Sequence, residues 1–323
     1  MAGSTSVVMA ALVANGAIAV MKFFGFLLTG SPSMLSETYH SISDTGNQVF
    51  LLIGIRYSTR EPDREHPFGY GKAQFFYSFL VSVLLFGIAG WESLKHGYDK
   101  IMHPGHGAEA GGVIDFFGIV SFDPATFPVN PLWVNVTVLL GAIAFETYAL
   151  AKANAELRRQ MSEYGWGDLP EAFRQTSDVT TLTAFTEDAI ALGGAAIALV
   201  GILLAEFTGN EIYDAIAATV IGLLLMGFAL ALAWQNKRLL LGESLPSDVE
   251  GRLRGAIRNH TGVAHVDGFR TMFIGANQVL VAADVSFDSE LDTGDLNADI
   301  DQIERKLEEV DSRVKMVYIE PEV

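Results

Sequence analysis

A chain of 323 residues that is 50% hydrophobic and 18% charged, with 32 glycines, is typical of a membrane protein and not of a soluble enzyme. Its 38 acidic and 21 basic residues give a net charge of −17, which argues against nucleic acid as a partner because phosphate binding needs lysine and arginine. The acidic excess favours a halophilic source, and the lack of cysteine excludes disulfides and thiolate metal sites.

Six apolar runs are each long enough, at about 20 residues, to cross the ~30 Å hydrocarbon layer as a helix. They are residues 7–28, 34–55, 75–94, 132–151, 180–205 and 213–234. The first run has no positively charged leader and no small-residue cleavage site, so we expect a retained span instead of a signal peptide. The fold class predicted from these runs is an α-helical membrane protein with six transmembrane helices in residues 1–240.

Basic residues in the short loops predict the orientation of these spans. Lysines and arginines follow the second, fourth and sixth runs, whereas the turn 30–33 and the segment 206–212 have none. We therefore expect both termini to be cytoplasmic. The long loop 103–130 would then face outward, and we interpret it as a flexible surface segment.

Residues 241–323 are predicted to form a separate cytosolic domain of α+β class. The patterns predict a helix over 249–259, strands over 266–274 and 278–287, a helix with an apolar stripe from Leu296 to Val310, and a last strand over 314–319. Residues 275–277 are predicted to be the turn between the first two strands. This α-β-β-α-β order indicates a small, open-faced, ferredoxin-like sandwich. A domain of ~80 residues is marginally stable alone, so we expect it to pair in a homodimer.

Ionisable residues inside two of the spans are candidates for function, because burying charge in a bilayer is costly. Glu37, His40 and Asp44 lie in the second run, and Glu187 and Asp188 lie in the fifth. His40 and Asp44 are four residues apart and so share one helical face. Imidazole nitrogen and carboxylate oxygen are suitable ligands for a divalent transition metal such as zinc. The rise of a helix places Asp44 and Asp188 at similar depths, ~12–15 Å from their respective membrane surfaces.

Several motifs resemble those of the cation diffusion facilitator family of divalent metal exporters. Residues 36–48, SETYHSISDTGNQ, resemble the second helix of that family, and residues 63–72, DREHPFGYGK, resemble its D-x-x-H-x-F-G-x-G-K loop signature. Residues 213–222 are similar to its sixth-helix pattern, and Gly242-Glu243-Ser244 and residues 318–321 resemble the two ends of its cytosolic domain. The resemblance runs through nearly the whole chain in the family's order.

The resemblance implies a transport site of two residues on the second helix and two on the fifth. His40 and Asp44 occupy the second-helix positions, and Asp188 occupies one position on the fifth. The other position is Ala184, which cannot bind metal, so we expect Glu187 to replace it, although an ideal helix points Glu187 about 100° away from Asp188. One histidine with three carboxylates is compatible with Zn²⁺ and also with Mn²⁺ or Fe²⁺.

A second metal site of the family, in the loop, matches only at Asp63 and His66, because the third ligand position is Tyr70. We therefore expect this loop site to be weak or absent, with the loop glycines shaping the turn into the third helix. His260 and His265 are interpreted as surface residues.

These observations predict a homodimeric exporter in the plasma membrane that exchanges a divalent metal, zinc before manganese or iron(II), for protons. The metal is the transported substrate, no organic cofactor is expected, and His40 is the expected proton carrier because an unperturbed histidine has a pKa of ~6.5. The alternatives are an intramembrane metal hydrolase, which lacks an H-E-x-x-H motif here, and a metal sensor that signals through its cytosolic domain.

Overall fold

The computed structural model of this chain describes residues 2–103, 114–116, 120–122, 130–164, 167–169, 179–276, 278–289 and 291–322. Most of the predicted outer loop 103–130, and Asn277 of the predicted turn, lie outside these described residues. Two short strands, β1 (Ile114–Phe116) and β2 (Val120–Phe122), are described within the outer loop and pair antiparallel. The sequence analysis did not predict this pairing.

Six long helical segments coincide with the six predicted spans. They are α1 (Ala2–Thr29), α2 (Pro32–Ser58), the continuous segment Ala73–Met102, α5 (Pro131–Tyr164), α6 (Val179–Thr208) and α7 (Ile212–Leu241). The segment Ala73–Met102 consists of α3 (Ala73–Leu84), a π-helical turn (Leu85–Gly90) and α4 (Trp91–Met102). Each segment extends beyond the apolar run that predicted it, because a helix continues through polar residues once its apolar part is packed.

Four helices of the described chain are long and apolar enough to cross a membrane. They are Ala73–Met102, Pro131–Ser162, Phe185–Thr208 and Ile212–Leu241. Among the described residues, α1 contributes the shorter apolar helix Asn15–Thr29, and α2 contains Glu37, His40 and Asp44 along its length. Membrane crossing by α1 and α2 therefore stays a prediction.

The chain divides into two compact units, of which the second consists mainly of Gly54–Phe76 and Gln235–Val323. The helical remainder forms the first unit. The segment Gly54–Phe76 belongs with the C-terminal residues in this division, so the predicted domain boundary at residues 240/241 stays a prediction.

The C-terminal part has the predicted α-β-β-α-β order, built from α8 (Ser247–Arg258), β3 (Val263–Gly275), β4 (Gln278–Phe287), α9 (Thr293–Val310) and β5 (Val314–Glu322). The sheet order is β3-β4-β5, with β3 antiparallel and β5 parallel to β4. Alternate residues of β4 from Val279 to Phe287 are buried, as the alternation predicted. Ile303 and Leu307 of α9 are buried on the predicted apolar stripe.

Small residues allow α4 and α7 to approach each other closely. A β-carbon built on Gly97 would lie 2.7 Å from the backbone nitrogen of Thr219 and 2.8 Å from the carbonyl oxygen of Ala215. A β-carbon on Gly222 of α7 would lie 2.6 Å from the backbone nitrogen of Leu94. Helices in membranes commonly pack through such small residues, because close backbones maximise van der Waals contact.

We expect Gly97→Ala to lower the free energy of unfolding by about 1–3 kcal/mol, because the new methyl group would overlap backbone atoms of α7. Gly87→Ala is the matched control, since a β-carbon there meets no atom within 4 Å. Thermal unfolding of the detergent-solubilised protein, followed by circular dichroism, measures both variants. Equal transition midpoints for Gly97→Ala and Gly87→Ala would contradict this account of the helix contact.

Candidate functional site

The site is built on one buried face of α2. His40 is 1% exposed and Asp44 is 7% exposed, and His40 Nε2 lies 3.5 Å from Asp44 Oδ2. This distance is too long for a good hydrogen bond, and neither ring nitrogen of His40 has a hydrogen-bond partner among the described residues. Two ligands about 2.1 Å from a tetrahedral zinc ion lie about 3.4 Å apart. The His40–Asp44 pair therefore has the spacing of two ligands to one ion.

Glu187 of α6 faces this pair. The carboxyl groups of Asp44 and Glu187 are close enough to interact electrostatically. The amide of Asn47, one turn beyond Asp44, donates to Glu187 Oε1 at 2.9 Å. The structure thus brings Glu187, the residue predicted to replace a ligand at Ala184, next to Asp44.

Asp188 occupies a different position from Glu187. Its electrostatic neighbours are Glu187 and Glu146, the latter on α5. Among the described residues, no three histidine, aspartate or glutamate side chains are grouped closely enough to hold a metal ion. The structure therefore places His40 close to Asp44, and Asp44 close to Glu187. Coordination of one ion by all four predicted residues stays a proposal.

Two charged residues near this site, one in the first predicted span and one in the fourth, were not predicted from the sequence. Lys22 of α1 is fully buried, and Glu146 of α5 is 6% exposed. Lys22 Nζ lies 2.7 Å from Glu37 Oε2, and Lys22 also interacts electrostatically with Glu146 and Asp44. A complete search of the six runs for ionisable residues would have found both, because each stands alone in an apolar stretch.

Asp214 of α7 fixes the start of α2. Its carboxylate accepts hydrogen bonds from the Ser31 hydroxyl at 2.7 Å, from the Ser33 backbone N–H at 3.3 Å, and from the Ser33 hydroxyl. A carboxylate at a helix N-terminus satisfies free backbone donors and interacts favourably with the helix dipole. Asp214 therefore anchors α2 to α7.

In the loop, Tyr70 stands at the third ligand position of the family's metal site and forms a hydrogen bond with Asp63, one of the two matching ligands. The Tyr70 hydroxyl donates to Asp63 Oδ2 at 2.6 Å, and Asp63 Oδ1 accepts from the backbone N–H groups of Glu65 and His66. The hydrogen bond from Tyr70 holds the pKa of Asp63 below its ordinary value, and the same bond raises the pKa of Tyr70 to about 12. A metal ion would have to compete with these three donors for Asp63, which supports the expectation of a weak or absent site.

The glycines of the loop have separate roles in its shape. Gly69 has a positive φ of 80°, which other residues rarely adopt. A β-carbon on Gly71 would lie 2.9 Å from the Cα of Gly275 at the end of β3. Phe68 contacts Tyr318 edge to face, with ring centroids 6.5 Å apart. These contacts agree with the prediction that this part of the motif shapes the turn.

The two histidines of the C-terminal α-β-β-α-β part are paired with single carboxylates. His260 Nε2 lies 3.4 Å from Asp299 Oδ1, and the mostly exposed His265 lies 4.0 Å from Asp267. Neither belongs to a group of three possible ligands in the described residues.

Known proteins match the chain over most of its length. It is 29% identical over 310 residues to the mitochondrial proton-coupled zinc antiporter SLC30A9 of Homo sapiens, covering 95% of this chain and 50% of that protein. It is 24% identical over 288 residues to metal tolerance protein C4 of Arabidopsis thaliana, covering 89% and 58%. A shorter match, 38% over 103 residues, is to magnetosome protein MamM of Paramagnetospirillum magneticum, covering 31% and 32%. The chain thus spans about half the length of SLC30A9.

The family model of the cation efflux transmembrane domain matches residues 8–241, which include all six long helical segments except the start of α1. The match therefore contains the α2 and α6 residues of the site. The chain belongs to the cation efflux family, the cation diffusion facilitators that its motifs resemble, whose members are transporters and not enzymes.

Proposed function

We propose that this protein exports a divalent metal cation, Zn²⁺ before Mn²⁺ or Fe²⁺, in exchange for protons. The observation that carries the proposal is the buried His40–Asp44 pair, with a spacing of 3.5 Å and with Glu187 as an electrostatic neighbour of Asp44. Buried polar groups normally have partners, so a histidine with two unpaired ring nitrogens is a candidate ligand.

The exchange of metal for protons follows from the chemistry of these ligands. Asp44 and Glu187 interact electrostatically in a buried site, where two neighbouring carboxyl groups cannot both be charged without a cost, so one of them holds a proton when no metal is bound. A metal ion binds the deprotonated groups, so its arrival releases that proton, and returning protons release the metal. His40 would bind metal through a neutral nitrogen and can likewise take a proton once the ion has left.

Access from the two sides requires the helices to move around the site. We propose that metal binding draws the α6 carboxylates, including Asp188, toward the His40–Asp44 pair. A bound ion would bring three or more ligands together, which the described residues do not do without it. Site residues would thus be assembled by the ion and would separate when protons replace it.

The ligand types and the relatives support zinc as the first choice of metal. Imidazole nitrogen is a common zinc ligand, and the order of stability places Zn²⁺ above Mn²⁺ and Fe²⁺ at most nitrogen and oxygen sites. One relative carries the name of a proton-coupled zinc antiporter. The several carboxylates keep Mn²⁺ and Fe²⁺ as alternatives.

Location and assembly are further parts of the proposal. The basic loops support cytoplasmic termini, and we place the protein in the plasma membrane, although one relative is named as mitochondrial. The small three-stranded C-terminal domain supports a homodimer, and the acidic composition supports a halophilic source. Family membership argues against the hydrolase alternative. The described residues of the C-terminal domain contain no group of three possible metal ligands, which argues against the sensor alternative.

If His40, Asp44 and Asp188 bind the transported ion, Asp44→Asn and Asp188→Asn should each reduce Zn²⁺ uptake by reconstituted vesicles by about 100-fold or more, because each removes a charged ligand. Glu206→Gln, at the exposed end of α6, is the matched control and should transport at the wild-type rate. Size-exclusion chromatography checks that every variant remains assembled. A wild-type rate in either aspartate variant would refute the assignment of that residue.

Glu187→Gln should weaken Zn²⁺ binding by about tenfold or more, because the amide cannot supply the negative charge of the carboxylate. Calorimetric titration of the purified protein measures the affinity, and Asn47→Ala is a useful comparison because it removes only the donor to Glu187. We expect Asn47→Ala to have the smaller effect. An unchanged affinity in Glu187→Gln would show that Glu187 only holds Asn47.

Zn²⁺ should be transported when offered alone and should compete with Mn²⁺ and Fe²⁺ when pairs of ions are offered. Proteoliposomes that contain a fluorescent metal reporter measure each ion and each pair. Asp44→Asn vesicles give the background rate. Transport of Mn²⁺ with only inhibition by Zn²⁺ would overturn the choice of zinc and leave the family and the site residues intact.

A further inference from the structure

A fully buried ion pair joins α1 to α2 one turn from the site. Lys22 Nζ lies 2.7 Å from Glu37 Oε2, and both side chains are 0% exposed. Glu37 precedes His40 by three residues, so the two side chains project from neighbouring positions on the same helix. The pair therefore lies beside the proposed ligands.

Helix association alone is a poor explanation for this pair. Removing two charges from water costs several kcal/mol per ion, and well-packed apolar residues often replace a buried ion pair without loss of stability. Glu37 also keeps one oxygen, Oε1, without a hydrogen-bond partner among the described residues. Gly194 of α6 lies opposite, and a β-carbon there would be 2.5 Å from this oxygen, so a larger residue would require the Glu37 carboxylate to shift.

The charges around the pair point to another role. We define the acidic cluster as Glu37, Asp44, Glu146, Glu187 and Asp188, contributed by α2, α5 and α6. Lys22 interacts electrostatically with Glu37, Glu146 and Asp44, and also with His40. A single ammonium group therefore acts on carboxylates from two helices and on both α2 ligands.

We propose that Lys22 is a tethered cation that sets the charge of the transport site, and that Glu37 holds it away from the place of the transported ion. This inference rests on the proposed function. With Glu37 in place, the positive charge is neutralised locally and the remaining carboxylates are left to the divalent ion. Without Glu37, the ammonium group would pair with Asp44 or Glu146 and compete with that ion.

Two substitutions separate this role from helix packing, because they change the charge of the site in opposite directions. Glu37→Gln leaves Lys22 without its partner and should weaken Zn²⁺ binding by about tenfold or more. Lys22→Met removes the positive charge and should tighten Zn²⁺ binding by a similar factor. The double variant Lys22→Met/Glu37→Gln keeps the net charge of the wild type and should bind within about threefold of it.

The measurement is calorimetric titration of the full-length protein in detergent with Zn²⁺ alone and with Mn²⁺ alone. Opposite shifts in the two single variants and recovery in the double variant are the expected result. A purely structural pair would give lower thermal stability in both single variants with affinities that are unchanged or shifted in one direction, and that result overturns the proposal. Should Lys22→Met fail to fold, the double variant must still bind at least about threefold tighter than Glu37→Gln, and any smaller difference overturns the proposal.

Asp44→Asn in the same titrations distinguishes this inference from the proposed function. If Asp44→Asn binds both ions as the wild type does, the proposed site is wrong and the role of Lys22 is lost with it. If Asp44→Asn loses binding while the Lys22 and Glu37 variants show no opposite shifts, only the inference about Lys22 fails.

Discussion

Lipid provides no counter-charge, so each ionisable group buried in the helical unit needs compensation from the protein or from an ion that the protein carries. The Lys22–Glu37 pair satisfies part of this need, and serine donors satisfy Asp214. In the described part of the chain, the Lys22 ammonium group interacts with three of the five carboxyl groups of the acidic cluster, those of Glu37, Asp44 and Glu146. Protons or a divalent cation can supply the missing positive charge, and exchange between the two is the chemistry that the proposed function uses.

Charge burial of this kind depends on close approach between helices. Gly194 leaves the space into which the Glu37 carboxylate projects, and Gly201 of α6 lies against Ala217 and the backbone of α7. A β-carbon at position 201 would overlap α7, and one at position 194 would lie 2.5 Å from the Glu37 carboxylate. The high glycine content therefore has a physical role in the site, because small residues let polar groups of different helices meet without intervening lipid.

The sequence predicts the helices and strands of this protein better than it predicts the contacts between them. Apolar runs and alternation located six helices and the α-β-β-α-β order, because those periodicities are set by local burial. The spacing of His40 and Asp44 likewise predicted a shared face, which the structure confirms. The contact of Glu187 with Asp44 depends on how α6 is rotated against α2, and the ideal-helix argument alone could not fix that rotation. Lys22 and Glu146 were missed because single charges in apolar runs form no motif.

The contacts of α2 differ in their dependence on the transported ion. Toward α1 and α7, α2 is held by the Lys22–Glu37 pair and by Asp214 bound to the serines at its N-terminus, and neither contact includes a proposed ligand. Toward α6, Asn47 donates a hydrogen bond to Glu187, and Asp44 interacts with Glu187 electrostatically. Two of these three residues, Asp44 and Glu187, are proposed ligands. Replacing a proton by a metal ion changes the second set of contacts directly and leaves the first set intact. The contact between α2 and α6 is therefore where binding chemistry can be converted into helix movement.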